Sequence, residues 1–496
     1  MTVAGDAMHV MGAAAAAPPG FGGLLAEEGG GRDRQVVEGA ASEAVEAVDA
    51  VLHHGADRDH VVVPPPGCPQ HAPPPHVPIR KEERKEGAMV SAVAVDEHEI
   101  VIVGGGIVGL ATALALHKKG VKSLVLERSE TLRAAGATIA IFANGWRCLD
   151  QLGVGAKLRQ KAGLLEGTRD IMLYDGTVRD QPNGNVEQRC ARRSDLIKTL
   201  AEGLPTETIR FNSRVIAVDV DAGTGFPVVH LDDGTIIHAK VLIGCDGAHS
   251  MVAENLLGFP PAKFSGLVGI RGLTTFKEPH GFPKEFYRFR GRGSFVGRTP
   301  VDDHVVSWFL ARPKLPGDSA ITNEPEKMRD WTAKLVEDLS VPSHVVEIVK
   351  RCDLDTLSYT SIRYKTPWDL YTGNFRKGTV TVAGDSMHVM GPYLQQGGAT
   401  GLEDAVVLGR CLGEGLLQAN AAEVKYGKAW REGVERALDK YVGERRMRVF
   451  GLSMQSYMFG AMAMSSSKYV KLAILLAMAI LFGHRLNHTR YDCGKL

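Results

Sequence analysis

Three short stretches of this chain carry residues of the types that hold a nucleotide. The first is Gly104-Gly105-Gly106-Ile107-Val108-Gly109, a G-x-G-x-x-G pattern followed downstream by Glu127 and Arg128. In such a pattern Gly104 permits a tight turn, Gly106 lets the backbone approach a diphosphate, and Gly109 lets a helix pack closely on a strand. Glu127 can accept hydrogen bonds from a ribose hydroxyl; its charge repels a 2′-phosphate, which disfavours NADP at this site. The pattern by itself does not separate FAD from NAD. The second stretch is Gly244-Cys245-Asp246-Gly247-Ala248-His249-Ser250, and the third is Gly384-Asp385-Ser386-Met387-His388. Downstream of the third, Pro392 begins a loop that runs through Gly397 and Gly398 into a helix-forming segment. Backbone N–H groups at a helix start stabilise an anion, which suits the N1–O2 edge of a reduced flavin, with Asp385 then on the ribityl chain. Taken singly, each aspartate reads equally well as a helix cap or turn residue. His249 and His388 read as local hydrogen-bonding residues, because spacing supplies neither with a partnered carboxylate.

Positioning these residues requires buried strands that end at one edge. Ile100–Val103, Ser123–Leu126, Ala239–Ile243 and Val380–Ala383 are short apolar runs, as expected for strands covered on both faces. The segment Leu110–Lys119 between the first two is a strong helix former closed by Gly120. Strands alternating with helices predict a parallel α/β sheet, whose ligands sit in the crevice at the carboxyl ends of the strands. Residues 262–372 differ: they are rich in Gly and Pro and contain alternating or continuous apolar runs such as Val305–Leu310, which predicts an inserted, mainly antiparallel sheet. From about residue 402 the chain reads as helices to its end.

Composition excludes several classes. The 496 residues are 44 % hydrophobic and 23 % charged, with formal net charge +1, so no bulk charge points to nucleic acid or an anionic membrane. The seven cysteines are scattered and never spaced C-x-x-C, which argues for a reducing compartment and against a disulfide framework or zinc site. No metal site is expected. The longest apolar run, Leu472–Phe482, is shorter than the roughly 20 residues a membrane-spanning helix needs. Preceded by Lys468 and Lys471, it leaves room for a weak peripheral membrane contact.

Residues 1–96 stand apart. They hold an alanine run, proline runs and a single aromatic residue, Phe21, too little apolar surface to offset the entropy of ordering, so the segment reads as a disordered extension with at most a helix over 42–53. Its five clustered histidines fit no closed metal shell. Thr2–Gly12 repeats Thr381–Gly391 with only Ala7 in place of Ser386. The expected origin is a remnant of tandem duplication or a misjoined gene model, with Met89 as the native start. The many acidic residues are unlike an organellar transit peptide, so the expected location is the cytoplasm, with the chloroplast as the alternative.

The three stretches, in order and at suitable spacing, resemble the signatures of the flavoprotein aromatic hydroxylases, the class A FAD-dependent monooxygenases that include para-hydroxybenzoate, salicylate and urate hydroxylases. The likeness is greatest to plant FAD monooxygenases related to zeaxanthin epoxidase, and the tail Tyr491–Leu496 is plant-like too. The resemblance covers residues 97–496. It implies an α/β, Rossmann-like FAD-binding domain of the para-hydroxybenzoate hydroxylase type, discontinuous over 97–261 and 373–415, with a substrate sheet over 262–372 and a helical region over 416–496. It implies that Glu127 binds ribose, that Arg193 lies near the flavin with Arg189 as a nearby candidate, and that Asp246 and Gly247 serve FAD and NAD(P)H. It also implies that Asp385 binds the ribityl chain and that Pro392 lies close to the isoalloxazine ring. The family often places arginine after S-x-V; this chain has Ala253. The implied chemistry is reduction of FAD by NAD(P)H, reaction with O2 to a flavin C4a-hydroperoxide, and delivery of one oxygen atom to a small aromatic or unsaturated substrate. Arg271 and Tyr287 are candidate polar residues of the substrate pocket. Two other readings compete: another FAD oxidoreductase on the same scaffold, or a flavin-binding protein without turnover. A halogenase is disfavoured by the lack of a W-x-W-x-I-P segment.

Overall fold

The computed structural model describes residues 96–496, apart from 133–137, 292, 319–323, 421–424, 466 and 483–485. The repeat at Thr2–Gly12, the expected helix over 42–53 and the clustered histidines lie outside the described residues.

An eight-stranded sheet forms the centre. β1 (Asp96–Val103) is flanked by β2 (Leu124–Leu126) and β11 (Ile236–Gly244). Beyond β2 lies β8 (Ile209–Arg210), and beyond β11 lie β18 (Val380–Val382) and the edge strand β17 (Arg376–Lys377). β18, β11, β1, β2 and β8 run parallel. Their apolar character follows from cover on both faces: Val101, Ile102, Leu242 and Val382 expose nothing to solvent. β9 (Val215–Val220) and β10 (Pro227–Leu231) extend β11 antiparallel. Helix α1 (Ile107–Lys118) follows β1, apolar all round because it lies between the sheet and a later helix.

A three-stranded sheet joins β3 (Thr138–Phe142), β7 (Gln188–Arg192) and β4 (Gly163–Leu164), with α2 (Ala143–Gln151) after β3 and α3 (Arg193–Ala201) after β7. The third sheet has seven strands and is larger than the expected 262–372 segment. To β12 (Lys263–Thr275), β13 (Glu285–Arg290), β14 (Phe295–Pro300), β15 (Val305–Pro313) and β16 (Ser358–Tyr364) it adds β5 (Gly167–Met172) and β6 (Val178–Pro182) from the preceding segment. β5 pairs parallel with β13, the other contacts being antiparallel. Parallel pairing needs a long crossover, so no local pattern could announce it.

One face of this sheet packs on helices α4 (Pro325–Asp338) and α5 (Ser343–Lys350) through Ile270, Phe289, Val296, Val306, Trp308 and Leu310. The opposite face, through Leu273, Phe286, Val305 and Phe309, packs on Leu165 and Cys190 beside the three-stranded sheet. The chain closes with α6 (Gly397–Ala419), α7 (Lys428–Met464) and α8 (Lys468–Phe482). Helices do not continue to the terminus: residues 490–496 are a non-helical tail laid on α2 and α6. Among the described residues no helix is long and apolar enough to cross a membrane. Only Ile474 and Met478 of α8 are buried, while Tyr469, Leu476 and Ile480 are exposed.

Candidate functional site

The three strand-end motifs meet at the carboxyl edge of the central sheet. β1 and β11 are neighbours, and the Cys245 N–H donates to the Val103 carbonyl at 2.8 Å. β11 and β18 are neighbours, and the Ala383 N–H donates to the Gly244 carbonyl at 3.0 Å. Val108, in the first turn of α1, fills the space between motifs: a Cβ at Gly384 or Gly401 would lie 2.7 or 2.5 Å from its side chain. The first and third motifs therefore approach closely because both glycines lack side chains.

Within the first motif, Gly104 has φ +106, a conformation that L side chains rarely adopt, and a Cβ there would sit 2.5 Å from the Cys245 carbonyl oxygen. A Cβ at Gly109 would sit 2.0 Å from the Gly104 oxygen, so helix and turn are in direct contact. Around Gly106 the space is open, with nothing within 4 Å of a Cβ position. Gly106 is the N-cap of α1; no side chain caps it and no acidic residue lies in the first turn. Its first-turn N–H groups and positive dipole end are therefore left without a side-chain partner. Glu127, buried at the end of β2, accepts the N–H groups of Gly105 and Ser129, each at 2.9 Å. Arg128 beside it is exposed.

In the second motif, the Asp246 carboxylate accepts from the Ser250 hydroxyl at 2.5 Å, the Met251 N–H at 2.7 Å and the Ser386 hydroxyl at 3.1 Å. Burial pushes its pKa up despite these donors. Gly247, at φ +87, donates its N–H to Ser386 Oγ at 2.8 Å, so Ser386 ties the second motif to the third. His249 is exposed. Ala253, where the family often carries arginine, is fully buried in a short π-helical turn.

Asp385 is exposed and has no side-chain hydrogen bond among the described residues; one carboxylate oxygen lies 4.0 Å from a Cβ position on Gly397. Pro392 is exposed at the start of a 3₁₀ turn, and Gln395 takes the left-handed conformation before the chain enters α6. Gly397 and Gly398 open α6, again with no side-chain cap and no acidic residue in the first turn. A Cβ at Gly398 would meet Ile139 of β3 at 2.3 Å. Two uncapped helix N-termini and one unpartnered carboxylate thus sit around the same strand ends. A diphosphate, a polyol chain and an anionic ring fit these three features in turn, so the residues present suit FAD.

Beneath the third motif lies a buried charged network that spacing did not reveal. His388 Nε2 lies 2.5 Å from Asp404, and Arg445 Nε donates to Asp404 at 2.7 Å while its Nη2 reaches Glu403 at 2.9 Å. All four side chains are fully buried. The Gly384 N–H also donates to Asp404, at 2.8 Å. Burial opposes the charge on Asp404, but His388, Arg445 and the Gly384 N–H outweigh it and hold its pKa well below the ordinary carboxylate range. Glu403 and Asp404 sit between Leu402 and the apolar run Ala405–Leu408, and acids in an apolar run must find partners; that was the available signal. His388 thus has the carboxylate partner that spacing failed to supply.

The arginines near β7 separate into two kinds. Arg189 is engaged by Glu187 at 2.8 Å and by the Ala162 carbonyl at 3.1 Å, and Arg192 by Asp302 at 2.9 Å. Arg193, exposed at the start of α3, and half-buried Arg271 of β12 have no carboxylate or hydrogen-bond partner among the described residues. Burial, then the charge of Arg193, lowers the pKa of Arg271. Arg271 is directly opposite Phe309 in the β12–β15 register and so shares its face. On that face Phe309 packs on Phe286 and Phe295 at centroid distances of 6.0 and 5.5 Å, and the Ser307 hydroxyl is 2.8 Å from Thr138 of β3. Tyr287 does not join this face. Strand alternation turns it to the other side, where Arg298 covers its ring at 4.0 Å and Arg169 donates to its hydroxyl at 3.1 Å.

Residues 97–449 match the family model described as FAD binding domain, and the chain belongs to that family. It falls among the FAD-dependent monooxygenases, the group of aromatic hydroxylases. It is 44 % identical over 404 residues to Monooxygenase 1 of Arabidopsis thaliana, covering 81 % of this chain and 100 % of that one. It is 28 % identical over 372 residues to an FAD-dependent urate hydroxylase of Mycolicibacterium vanbaalenii, covering 70 % and 87 %. In fold it is similar to Klebsiella pneumoniae HpxO complexed with FAD and uric acid, with TM-score 0.62, 22 % identity, and 79 % and 97 % of the two chains covered.

Proposed function

We propose that the protein is an NAD(P)H- and O2-dependent flavin monooxygenase that places one oxygen atom on a small aromatic or unsaturated substrate. The balance is substrate, O2, NAD(P)H and a proton going to oxygenated substrate, NAD(P)⁺ and water. The observation that carries this reading is the pairing of two uncapped helix N-termini and the free carboxylate of Asp385 at one sheet edge. FAD, when bound, supplies the acceptor for the NAD(P)H electrons and the C4a carbon at which O2 is activated.

The chain's own residues have distinct tasks in this reading. The N–H groups after Gly106 hold the diphosphate, close helix packing at Gly109 fixes their direction, and Glu127, which also ties down the Gly105 N–H, flanks the adenosine end with Arg128. Asp246 and Gly247 brace the turn between motifs, and Asp385 holds the ribityl hydroxyls. The N–H groups at Gly397 and Gly398, behind Pro392, offset negative charge on the reduced ring. Arg193 and Arg271 supply uncompensated positive charge beside the aromatic wall of Phe286, Phe295 and Phe309, which suits an aromatic substrate with an anionic group. Arg189, already engaged, contributes structure.

The buried alanine at residue 253, in place of the family's arginine, favours one second reading: a flavin-binding protein without turnover. NADPH and NADH oxidation by the FAD-loaded protein, measured across a panel of aromatic acids and phenols, separates the two. A monooxygenase oxidises the nicotinamide faster with its substrate and yields the oxygenated product; no stimulation by any compound supports the second reading.

The apolar outer face of α8, with Lys468 and Lys471 at its start, fits a weak contact with an anionic lipid surface. Cosedimentation with vesicles with and without anionic lipid tests this.

A further inference from the structure

Of the six cysteines among the described residues, Cys148 and Cys493 alone are in sulfur contact: their Sγ atoms are 3.7 Å apart, although 345 positions separate them in the chain. Cys148 is on α2, fully buried, and Cys493 is in the C-terminal tail, 6 % exposed. The tail is fastened to α2 on either side of this contact. Arg147 donates to the carbonyls of Arg490 and Tyr491 at 2.8 and 2.7 Å, and Gln151 donates to that of Gly494 at 2.7 Å. From α6, Arg410 donates to the Cys493 carbonyl at 2.6 Å. The thiols are therefore held together by contacts that do not involve sulfur.

The same short helix carries the support of the glycine loop. Asn144 of α2 donates to Gln396, the N-cap of α6, at 2.8 Å and to Glu403 at 2.7 Å, and a Cβ on Gly145 would meet Ala399 at 3.2 Å. Helix α2 thus links the tail to the start of α6.

We propose that Cys148 and Cys493 form a reversible dithiol–disulfide pair whose oxidation locks the C-terminal tail onto α2. The Cys148 S–H hydrogen bond favours the thiolate on Cys493, the sulfur nearer the surface, and raises the pKa of Cys148. With hydrogen peroxide as oxidant, the Cys493 thiolate attacks one oxygen, the O–O bond breaks, and hydroxide leaves to become water. The Cys148 sulfur then displaces the second oxygen as water with loss of its own proton. Two thiols and one peroxide give one disulfide and two waters; the sulfurs lose two electrons and peroxide gains them. A dithiol reverses the bond by exchange. From 3.7 Å the sulfurs move together by about 1.7 Å to reach disulfide length.

The test uses the full chain, treated with hydrogen peroxide, alkylated and mapped by peptide mass spectrometry. The expected result is one dominant linked pair, Cys148 with Cys493, absent after dithiothreitol and absent in Cys148→Ser. Carboxypeptidase should release residues 494–496 roughly tenfold more slowly from oxidised than from reduced protein, because release requires the locked tail to open; Cys148→Ser should lose that difference. Oxidised protein in which both thiols still alkylate, or are separately over-oxidised, or bond to other cysteines, overturns the proposal, as does equal trimming of the two redox forms.

Discussion

The carboxyl edge of the central sheet and the wall of the seven-stranded sheet are built on different principles. At the edge, the groups offered to a ligand are mostly backbone, and the critical side chains are absent ones: Gly104, Gly109, Gly384 and Gly401 exist so that backbones and Val108 can meet. On the wall, the groups are side chains selected by register, with Arg271, Ser307 and Phe309 inward and Trp308 and Tyr287 outward. Backbone recognition suits a constant ligand and tolerates little change. Side-chain recognition can vary while the sheet stays intact, which is how one scaffold serves different substrates.

Breaking the support of the edge should have the largest effect. Arg445→Met leaves Asp404 and Glu403 buried with reduced compensation, and should cost about 3–5 kcal/mol of stability, read from urea unfolding. The same network sets a pH dependence. The Asp404 pKa is held below its ordinary 3.8, so its contribution is fully present above that value and is lost progressively as pH falls from there toward the lower folded-state value. The melting temperature of the wild type should fall over that acid range, and that part of the curve should flatten in Asp404→Asn.

Next in size, Gly109→Val forces a side chain against the Gly104 oxygen. It should destabilise by about 1–3 kcal/mol and abolish FAD retention, measured as flavin per chain after gel filtration. Arg271→Gln tests the wall: FAD content should not change, while KM for an anionic aromatic substrate should rise roughly tenfold, a loss of about 1.4 kcal/mol. Tyr287→Phe is the control on the opposite face and should change stability and KM by no more than about 0.5 kcal/mol. A large KM effect from Tyr287 with none from Arg271 would reverse the assignment of faces.

The difference between the regions also explains what could be read from residue order. The edge was legible because each element is local: a strand, a turn and a helix start within about a dozen residues, and glycine or aspartate marks each turn. The expected strands at Ile100–Val103, Ala239–Ile243 and Val380–Ala383 correspond to β1, β11 and β18 with shifts at their ends. The wall was legible only as a type of sheet. Its strands β5 and β6 come from before the expected segment, and the side that Tyr287 faces depends on a register no local pattern fixes. Arg189 and Arg193, four positions apart, looked alike until Glu187 and the Ala162 carbonyl were seen to occupy one of them. The pairing of His388 with Asp404 and Arg445 needed a helix from far along the chain to complete it.

In the proposed function one FAD is held jointly by the N-terminus of α1, the free carboxylate of Asp385 and the start of α6. The most direct measurement is FAD titration of the apoprotein by fluorescence quenching, in wild type and in Asp385→Ala, with folding checked by circular dichroism. About one FAD per wild-type chain is expected, with affinity at least tenfold weaker in the variant, from loss of charge-assisted hydrogen bonds worth about 1.5–3 kcal/mol. A folded wild-type protein that takes up no FAD, or a variant that binds it equally well, would contradict that joint hold.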